Sequence, residues 1–387
     1  MNSTVLKFGG SSFLQPDDYC RVALRIAKRH AEGANKIVTV VSAMSGTTGN
    51  LKDVMLGVNC QAPQAALDAA LATGEMLSAC LMEAAISRLD IRVTSLCGYS
   101  MGIRTNSEFG RASIETVDSS PVLQALKNND IVVVTGGQAI DRSGRLTMLG
   151  RNSSDLTAVV MAAALNCSSC EIYSDVCGVY TADPYIVPGA QLISELTHRA
   201  MAQMSRHGAK VLHHRAVEYA EQHGVAIACK SLEGERETIG TWVSHVGDAC
   251  SVVVAREAKL LCYCNVSDRD RNRPILSQIG VGAIPLTTED GVACICVTSD
   301  AEFAMKRLER SGLLPASVES VTLVTEIGPG APRYHVERDF EKAARLARHI
   351  HERLFPGANT KSSFTKNKQR SAYSSLLVNS KHQSRSG

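Results

Sequence analysis

Two kinds of apolar spacing divide this chain. Over roughly its first 245 residues, short β-rich apolar runs alternate with longer stretches whose apolar residues recur at helical spacing. Residues 5–8, 36–41, 91–96, 131–135, 171–173 and 225–229 predict strands. Residues 17–32, 63–87, 155–166 and 207–223 predict the helices between them. Strands separated by helices imply an α/β unit with a mostly parallel sheet sandwiched by helices. Function on such a sheet is expected at the carboxyl ends of its strands. Past Trp242 the pattern changes: residues 259–266, 292–298 and 318–326 predict strands, and 301–310 and 339–354 helices. That is a small α+β module. The boundaries predicted are 1–245, 246–355 and a tail at 356–387.

Composition narrows the class without changing the layout. Apolar residues make up 44% of the 387 positions and charged residues 20%, the balance of a globular chain with ample surface to bury. No run of about 18 apolar residues is evident, which argues against a membrane-spanning helix. The first residues, MNSTVLKFGG, lack the basic and apolar regions of a secretion signal, so the expected location is cytoplasmic. Net charge is +3, yet Lys361, Lys366, Lys368, Arg370, Lys381 and Arg385 all lie in a tail without Asp or Glu. The body is therefore mildly acidic and the basic, Ser-rich tail reads as solvated and disordered. Nucleic-acid binding is disfavoured, because its positive charge belongs on a structured face. Thirteen cysteines, an odd number in a long chain, read as reduced thiols buried as small hydrophobes. Cys262 with Cys264, and Cys294 with Cys296, would each share one face of a strand.

Three segments carry candidate chemistry. The first strand ends in Lys7-Phe8-Gly9-Gly10, where glycines let backbone N–H groups approach an anion and Lys7 adds a point charge. Gly-Gly after a strand is equally a tight turn. Gly150-Arg151-Asn152-Ser153-Ser154-Asp155 leads into an apolar helix. Its Ser and Asp side chains are suited to capping, and Arg151 to gripping a carboxylate in bidentate fashion. A strand at Glu171-Ile172-Tyr173 runs out into Ser174-Asp175-Val176-Cys177-Gly178-Val179-Tyr180-Thr181-Ala182-Asp183-Pro184, which could wrap a nucleotide or form a long surface turn. The P-loop and protein-kinase signatures are absent.

With residues 41–48, Thr73-Gly74-Glu75-Met76-Leu77, Arg104-Thr105-Asn106, Phe109-Gly110-Arg111 and Gly208-Ala209-Lys210-Val211-Leu212-His213, these segments fall in one order at compatible spacing. Together, over roughly residues 4–243, they resemble the aspartate kinases of the amino acid kinase superfamily. The resemblance implies transfer of the ATP γ-phosphoryl group to the side-chain carboxylate of L-aspartate. A carboxylate nucleophile needs no base; alignment and charge neutralisation are what the protein must supply. It implies that Lys7 and Lys210 counter charge on the transferring group, that Gly9 and Gly10 cradle it, and that Asp155 orients Lys7. Arg151 would hold a substrate carboxylate and Glu75 the α-ammonium, with Ser42 and Thr48 hydrogen bonding on the substrate side. Ser174, Asp175, Tyr180 and Asp183 would line the ATP site. Mg²⁺ would rest on phosphate oxygens and water, with no protein metal ligands. Lys210 and His213 fall on the expected helix 207–223, and adjacent His213 and His214 diverge on a helix, which speaks against a metal pair.

Several positions depart from the family pattern. Asn152 and Ser153 replace two glycines; if positive φ is required there, Asn152 accepts it more readily. Gln138 stands where an aromatic is usual, Tyr185 where an arginine follows Asp-Pro, and His214 where a proline is usual. These imply weaker ATP binding or a shifted acceptor. The C-terminal module resembles a shortened pair of ACT regulatory domains, with a helix and a strand missing before residue 339. That implies a homodimer that binds no effector and is insensitive to lysine and threonine. Two alternatives stay open: the same chemistry on another amino acid or acidic acceptor, and a nonenzymatic nucleotide- or amino-acid-sensing subunit.

Overall fold

The computed structural model of the chain describes residues 3–33, 36–232, 239–247, 250–288, 290–328 and 330–357. The tail reading therefore falls outside the described residues, apart from Pro356 and Gly357. In chain order the first elements are β1 (Ser3–Phe8), α1 (Asp17–Ala31), β2 (Lys36–Val41), α2 (Thr47–Val58) and α3 (Gln64–Ser87). There follow β3 (Val93–Leu96), β4 (Ile103–Thr105), β5 (Ile114–Val117), α4 (Ser120–Asn128), β6 (Ile131–Thr135), β7 (Gln138–Asp141) and β8 (Leu146–Met148). Next come α5 (Ser154–Ala164), β9 (Ser169–Ser174), β10 (Glu195–Thr197), α6 (His198–Arg206), α7 (His214–His223), β11 (Ala226–Ser231) and β12 (Ile239–Ser244).

Among the described residues, eight of these strands form one sheet in the order β10-β12-β11-β9-β1-β2-β6-β3. Every pairing is parallel except β11 with β12. Successive side chains of a strand face opposite ways, so an apolar run feeds two cores at once. Val38 and Val40 join Val5, Val132 and Val134 in a core completed by α4, α5, α6 and α7. Ile37 and Val41 join Leu6, Phe8, Ile131 and Val133 in the opposite core, against α1 and α3. The sheet is thus sandwiched by helices, as the strand–helix alternation implies.

A smaller sheet, β5-β4-β7-β8, was not foreseen from the pattern because its strands are only three or four residues long. Asp68 on α3 pins it: the buried carboxylate accepts from Gly110 N at 2.7 Å, Met148 N at 2.8 Å and Gln64 Nε2 at 3.2 Å. α3 also corrects the membrane reading, since by length and composition it is apolar enough to span a bilayer. In this structure it packs on α1, α2, β3, β6 and β8.

Only the second part of the expected helix over 207–223 is helical, and residues 207–213 form a turn and loop. α6 ends at Arg206, Gly208 has φ 112°, and α7 starts only at His214. Lys210 and His213 thus lie in a loop. A left-handed glycine interrupts the helical path, and the sequence periodicity alone does not report it.

The C-terminal module comprises β13 (Ser251–Tyr263), α8 (Val266–Gln278), β14 (Ala283–Thr287), β15 (Ala293–Val297), α9 (Ala301–Arg310), β16 (Ser317–Ile327), β17 (Arg333–Glu337) and α10 (Phe340–Leu354). Its antiparallel sheet runs β14-β15-β13-β16-β17. Elements β13 to β16 complete a strand–helix–strand–strand–helix–strand unit, and β17 supplies a strand expected to be missing. α8 was also unforeseen. The side chain of Asn265 accepts from Asp268 N at 2.9 Å and caps it, ending the strand before residue 266. Cys264 is therefore exposed beyond the strand while Cys262 is buried, so those two share no strand face. Cys294 and Cys296 are both buried. All thirteen cysteines are free, but Cys60, Cys80, Cys177 and Cys264 are exposed, so the reading of uniformly buried thiols fails there.

Replacing Asp68 by alanine leaves the N–H groups of Gly110 and Met148 without their buried acceptor. The expected loss is about 2–4 kcal/mol of folding stability, read from urea denaturation.

Candidate active site

Parallel strands place their carboxyl ends along one edge, and Lys7, Gly9, Gly10, Ser42, Glu75 and Asp155 of the predicted residues gather there. Lys7, the penultimate residue of β1, is buried, and its Nζ lies 2.6 Å from Asp155 Oδ1 on the first turn of α5. The other oxygen, Oδ2, accepts from His213 N in the α6–α7 loop at 3.2 Å. One carboxylate thus joins the first strand, the central helix and a loop that lies far away in sequence. Asp155 does not cap α5. Ser153 does not either; its Oγ donates to Gly150 O at 2.7 Å.

Around the ion pair, backbone stands close to backbone. A Cβ on Gly10 would lie 3.0 Å from Ala43 O, and one on Gly136 only 2.5 Å from Ser154 Cβ. Glycine at both places allows the ends of β1, β2 and β6 to meet the start of α5. A short 3-10 turn over Gly10–Ser12 follows Gly9, so its leading N–H groups belong to Gly10 and Ser11. Helical leading N–H groups have no intrahelical acceptor and attract anions.

Glu75 faces the same region from α3. It accepts from Ala43 N–H, yet its Oε2 is buried without a hydrogen-bond partner. Burial pushes its carboxyl up to about 7, against the opposing hydrogen bonds from its own and the Ala43 N–H groups. Ser42 Oγ donates to Ser154 Oγ at 2.8 Å. Its carbonyl accepts from Ser78 Oγ, which in turn accepts from Tyr19 OH.

The other predicted residues come from the segments around this cluster. Thr48 is exposed on α2, while neighbouring Thr47 comes within 3.1 Å of a Cβ placed on Gly74. Arg151 is exposed and has no ion pair among the described residues. Asn152 takes φ 56°, the left-handed conformation that asparagine tolerates better than most residues, and Ser153 does not need it. Ser174 closes its own turn on Val176, and Asp175 is exposed. Tyr180 is half-buried, and burial pushes its phenol up to about 12, reinforced by Cys177. Asp183 accepts from Tyr185 N at 2.9 Å, and the charge of Lys210 reaches it.

Two departures have structural explanations. Gln138 is fully buried: Nε2 donates to Ala72 O at 3.1 Å and Oε1 accepts from Gly98 N at 3.0 Å. It braces β7 against α3 and the loop after β3. His214 Nε2 donates to Gly280 O at 2.7 Å, joining α7 to the C-terminal module. Burial holds its imidazole down at about 4, with the Arg111 charge acting the same way. Sequence reasoning missed Gly136, Ser154 and Thr157, whose Oγ1 accepts from Gly137 N at 2.9 Å. Gly136-Gly137 after an apolar strand repeats the form of Gly9-Gly10, and that was the available signal.

The amino acid kinase family profile matches residues 2–231, and the chain belongs to that family. It is 38% identical over 240 residues to an aspartokinase of Bacillus sp. (strain MGA3), a match covering 62% of this chain and 58% of that protein. An aspartokinase of Corynebacterium glutamicum is 40% identical over 232 residues, covering 60% of this chain and 55% of its own. The chain thus spans a little over half the length of these relatives. E. coli aspartokinase III in complex with aspartate and ADP shares the fold with a TM-score of 0.76 at 22% identity, over 91% of this chain and 100% of that one.

Asp155→Ala strands the buried Lys7 ammonium without its counter-charge. Chemical denaturation is expected to show a loss of about 3–5 kcal/mol.

Proposed function

We propose that this chain is a kinase that transfers the γ-phosphoryl group of ATP to the side-chain carboxylate of L-aspartate, giving 4-phospho-L-aspartate. The observation that carries the reading is the buried Lys7–Asp155 pair set among glycine-lined strand ends, with Glu75 buried and half unpartnered beside it. Similarity to aspartokinases at 38–40% identity over the first domain points to the same substrates.

The reaction asks for two anions held in line. Lys7 and the Gly9-Gly10 turn meet the phosphates, and Asp155 keeps the Lys7 ammonium aimed at the carboxyl end of β1. A carboxylate oxygen of aspartate attacks the γ-phosphorus as the bond to the β-phosphate oxygen breaks, and ADP departs. Glu75 takes the α-ammonium, an ion suited to its unpartnered oxygen. Ser42 contributes a hydroxyl on the substrate side, and Thr48 and Arg151 close over the substrate from their exposed segments. Lys210, Ser174, Asp175, Tyr180 and Asp183 line the nucleotide. Mg²⁺ offsets phosphate charge when bound. It would be held mainly by phosphate oxygens and water, because Mg²⁺ dehydrates reluctantly. The enzyme acts as a cytoplasmic homodimer, its C-terminal module serving assembly rather than lysine or threonine sensing.

Hydroxylamine traps an acyl phosphate as a coloured hydroxamate, so ATP, Mg²⁺ and a panel of amino acids test the reading directly. Aspartate should yield product, Lys7→Ala should abolish it, and millimolar lysine or threonine should leave it unchanged. Product from another acceptor alone keeps the mechanism and moves the substrate; nucleotide binding without product favours a sensing subunit.

Glu75 adds a pH signature. Its ionised form holds the ammonium, and protons compete for it below its raised value of about 7. The KM for aspartate should therefore rise as pH falls, about tenfold per unit below 7, and Glu75→Gln should flatten that slope.

A further inference from the structure

The loop bearing Tyr180 and Asp183 is supported from outside the catalytic domain. Thr181 lies at its centre. Its N–H donates to Gln191 O and its carbonyl accepts from Val252 N, both at 2.8 Å, so the loop is bonded to the first strand of the C-terminal module. Thr181 Oγ1 accepts from Gln191 N at 2.9 Å and lies 2.8 Å from His351 Nε2 on α10. Both side chains are buried, His351 to 1% exposure. One turn earlier on α10, Arg348 Nε donates to Ile186 O at 2.9 Å. Beneath these polar bonds, Ala182 and Val187 pack on Ala343, Ala347 and Ile350 in one apolar cluster.

This arrangement is more specific than ordinary domain packing. Residues 347, 348, 350 and 351 fall on neighbouring turns of one helix face, and among the described residues the side chains of Arg348 and His351 hydrogen bond to Ile186 and Thr181. The His351 ring is held from the other side by Phe355, at 4.6 Å between centroids. Burial keeps the imidazole below its usual range, against the opposing charge of Glu352, so the bond to Thr181 is one between neutral groups.

We propose that His351 is a positioning residue for nucleotide binding: through Thr181 it holds the 179–187 loop in the shape that receives ATP. The proposal rests on the nucleotide reading given above and makes α10 part of the nucleotide site's support.

The test uses the full chain and ADP titration by calorimetry, with ATP and aspartate kinetics alongside. His351→Ala should weaken ADP binding and raise the ATP KM about tenfold, the worth of about one net hydrogen bond, while kcat and the aspartate KM stay within about twofold. Glutamine places an amide near the position of Nε2, so His351→Gln should recover most of the affinity. Unchanged ADP affinity in His351→Ala overturns the proposal. So does a loss that falls on both substrates equally, tracks a lowered Tm and is not recovered by glutamine. Should His351→Ala not fold, Thr181→Val against Thr181→Ser reads the bond from its other end. Valine should weaken ADP binding and serine should not; equal affinities overturn the proposal. A wild-type chain that binds ADP but forms no hydroxamate defeats the aspartate reading alone, because the ADP comparison still decides this one. A wild-type chain without affinity for ADP defeats both.

Discussion

The ion pair between Lys7 and Asp155 is the constraint around which the parallel-sheet domain is arranged. Both groups are buried, and a buried ammonium or carboxylate without its partner is costly. Satisfying one requires β1 and α5 to meet at the carboxyl edge of the sheet. Satisfying the second oxygen of Asp155 requires the α6–α7 loop to bring His213 N–H to the same place. Three elements, from Lys7 to His213, are thereby brought to one point. In the proposed reaction the same ammonium meets the phosphates, so stability and the proposed function draw on one contact.

Room for that contact comes from the absence of side chains. Gly10 and Gly136 sit where a methyl group would strike a carbonyl or a Cβ, and Gly74 is hemmed in by Thr47, Ala43 and Leu51. The small residues allow α3 to bring Glu75 against the end of β2, where its carboxylate meets a backbone N–H and little water. Asp68, two turns earlier on the same helix, ties the small four-stranded sheet down by backbone N–H groups. One helix therefore carries a fully satisfied carboxylate and the one proposed to meet the substrate ammonium. Their difference lies in satisfaction: Asp68 has donors on both oxygens, and Glu75 retains a bare one.

The two domains are less separate than their sequence boundary suggests. Arg111, from the segment that resembles the kinases, is buried with its guanidinium spent on Ile279 O, Gly280 O and Asp300 of the C-terminal module. His214 reaches the same Gly280 carbonyl, and Arg215 turns back to Leu149 O and Ala112 O. These bonds lie directly beneath the segment that leads to Arg151. On another flank, β13 and α10 support the 179–187 loop. The module thus touches the surroundings of both proposed substrate sites.

Much of this was legible in the amino-acid order. The apolar runs at 5–8, 36–41 and 131–135 could only be buried strands, because each feeds two cores, and the amphipathic stretches between them had to cover the sheet. Lys7, Gly9 and Gly10 stood out by residue type, since such groups suit a phosphate, and the roles of Glu75 and Asp155 came from the resemblance to the aspartate kinases. Their meeting point was not legible, because it depends on contacts across long sequence separations. The break at Gly208, the cap at Asn265 and the burial of Gln138 turn on a single dihedral or a distant carbonyl, which periodicity does not encode. His351 is the clearest case. In sequence it is one histidine near the end of a basic helix; only the folded chain sets it 2.8 Å from Thr181, because a side chain's partner is decided by packing and not by its neighbours in the chain.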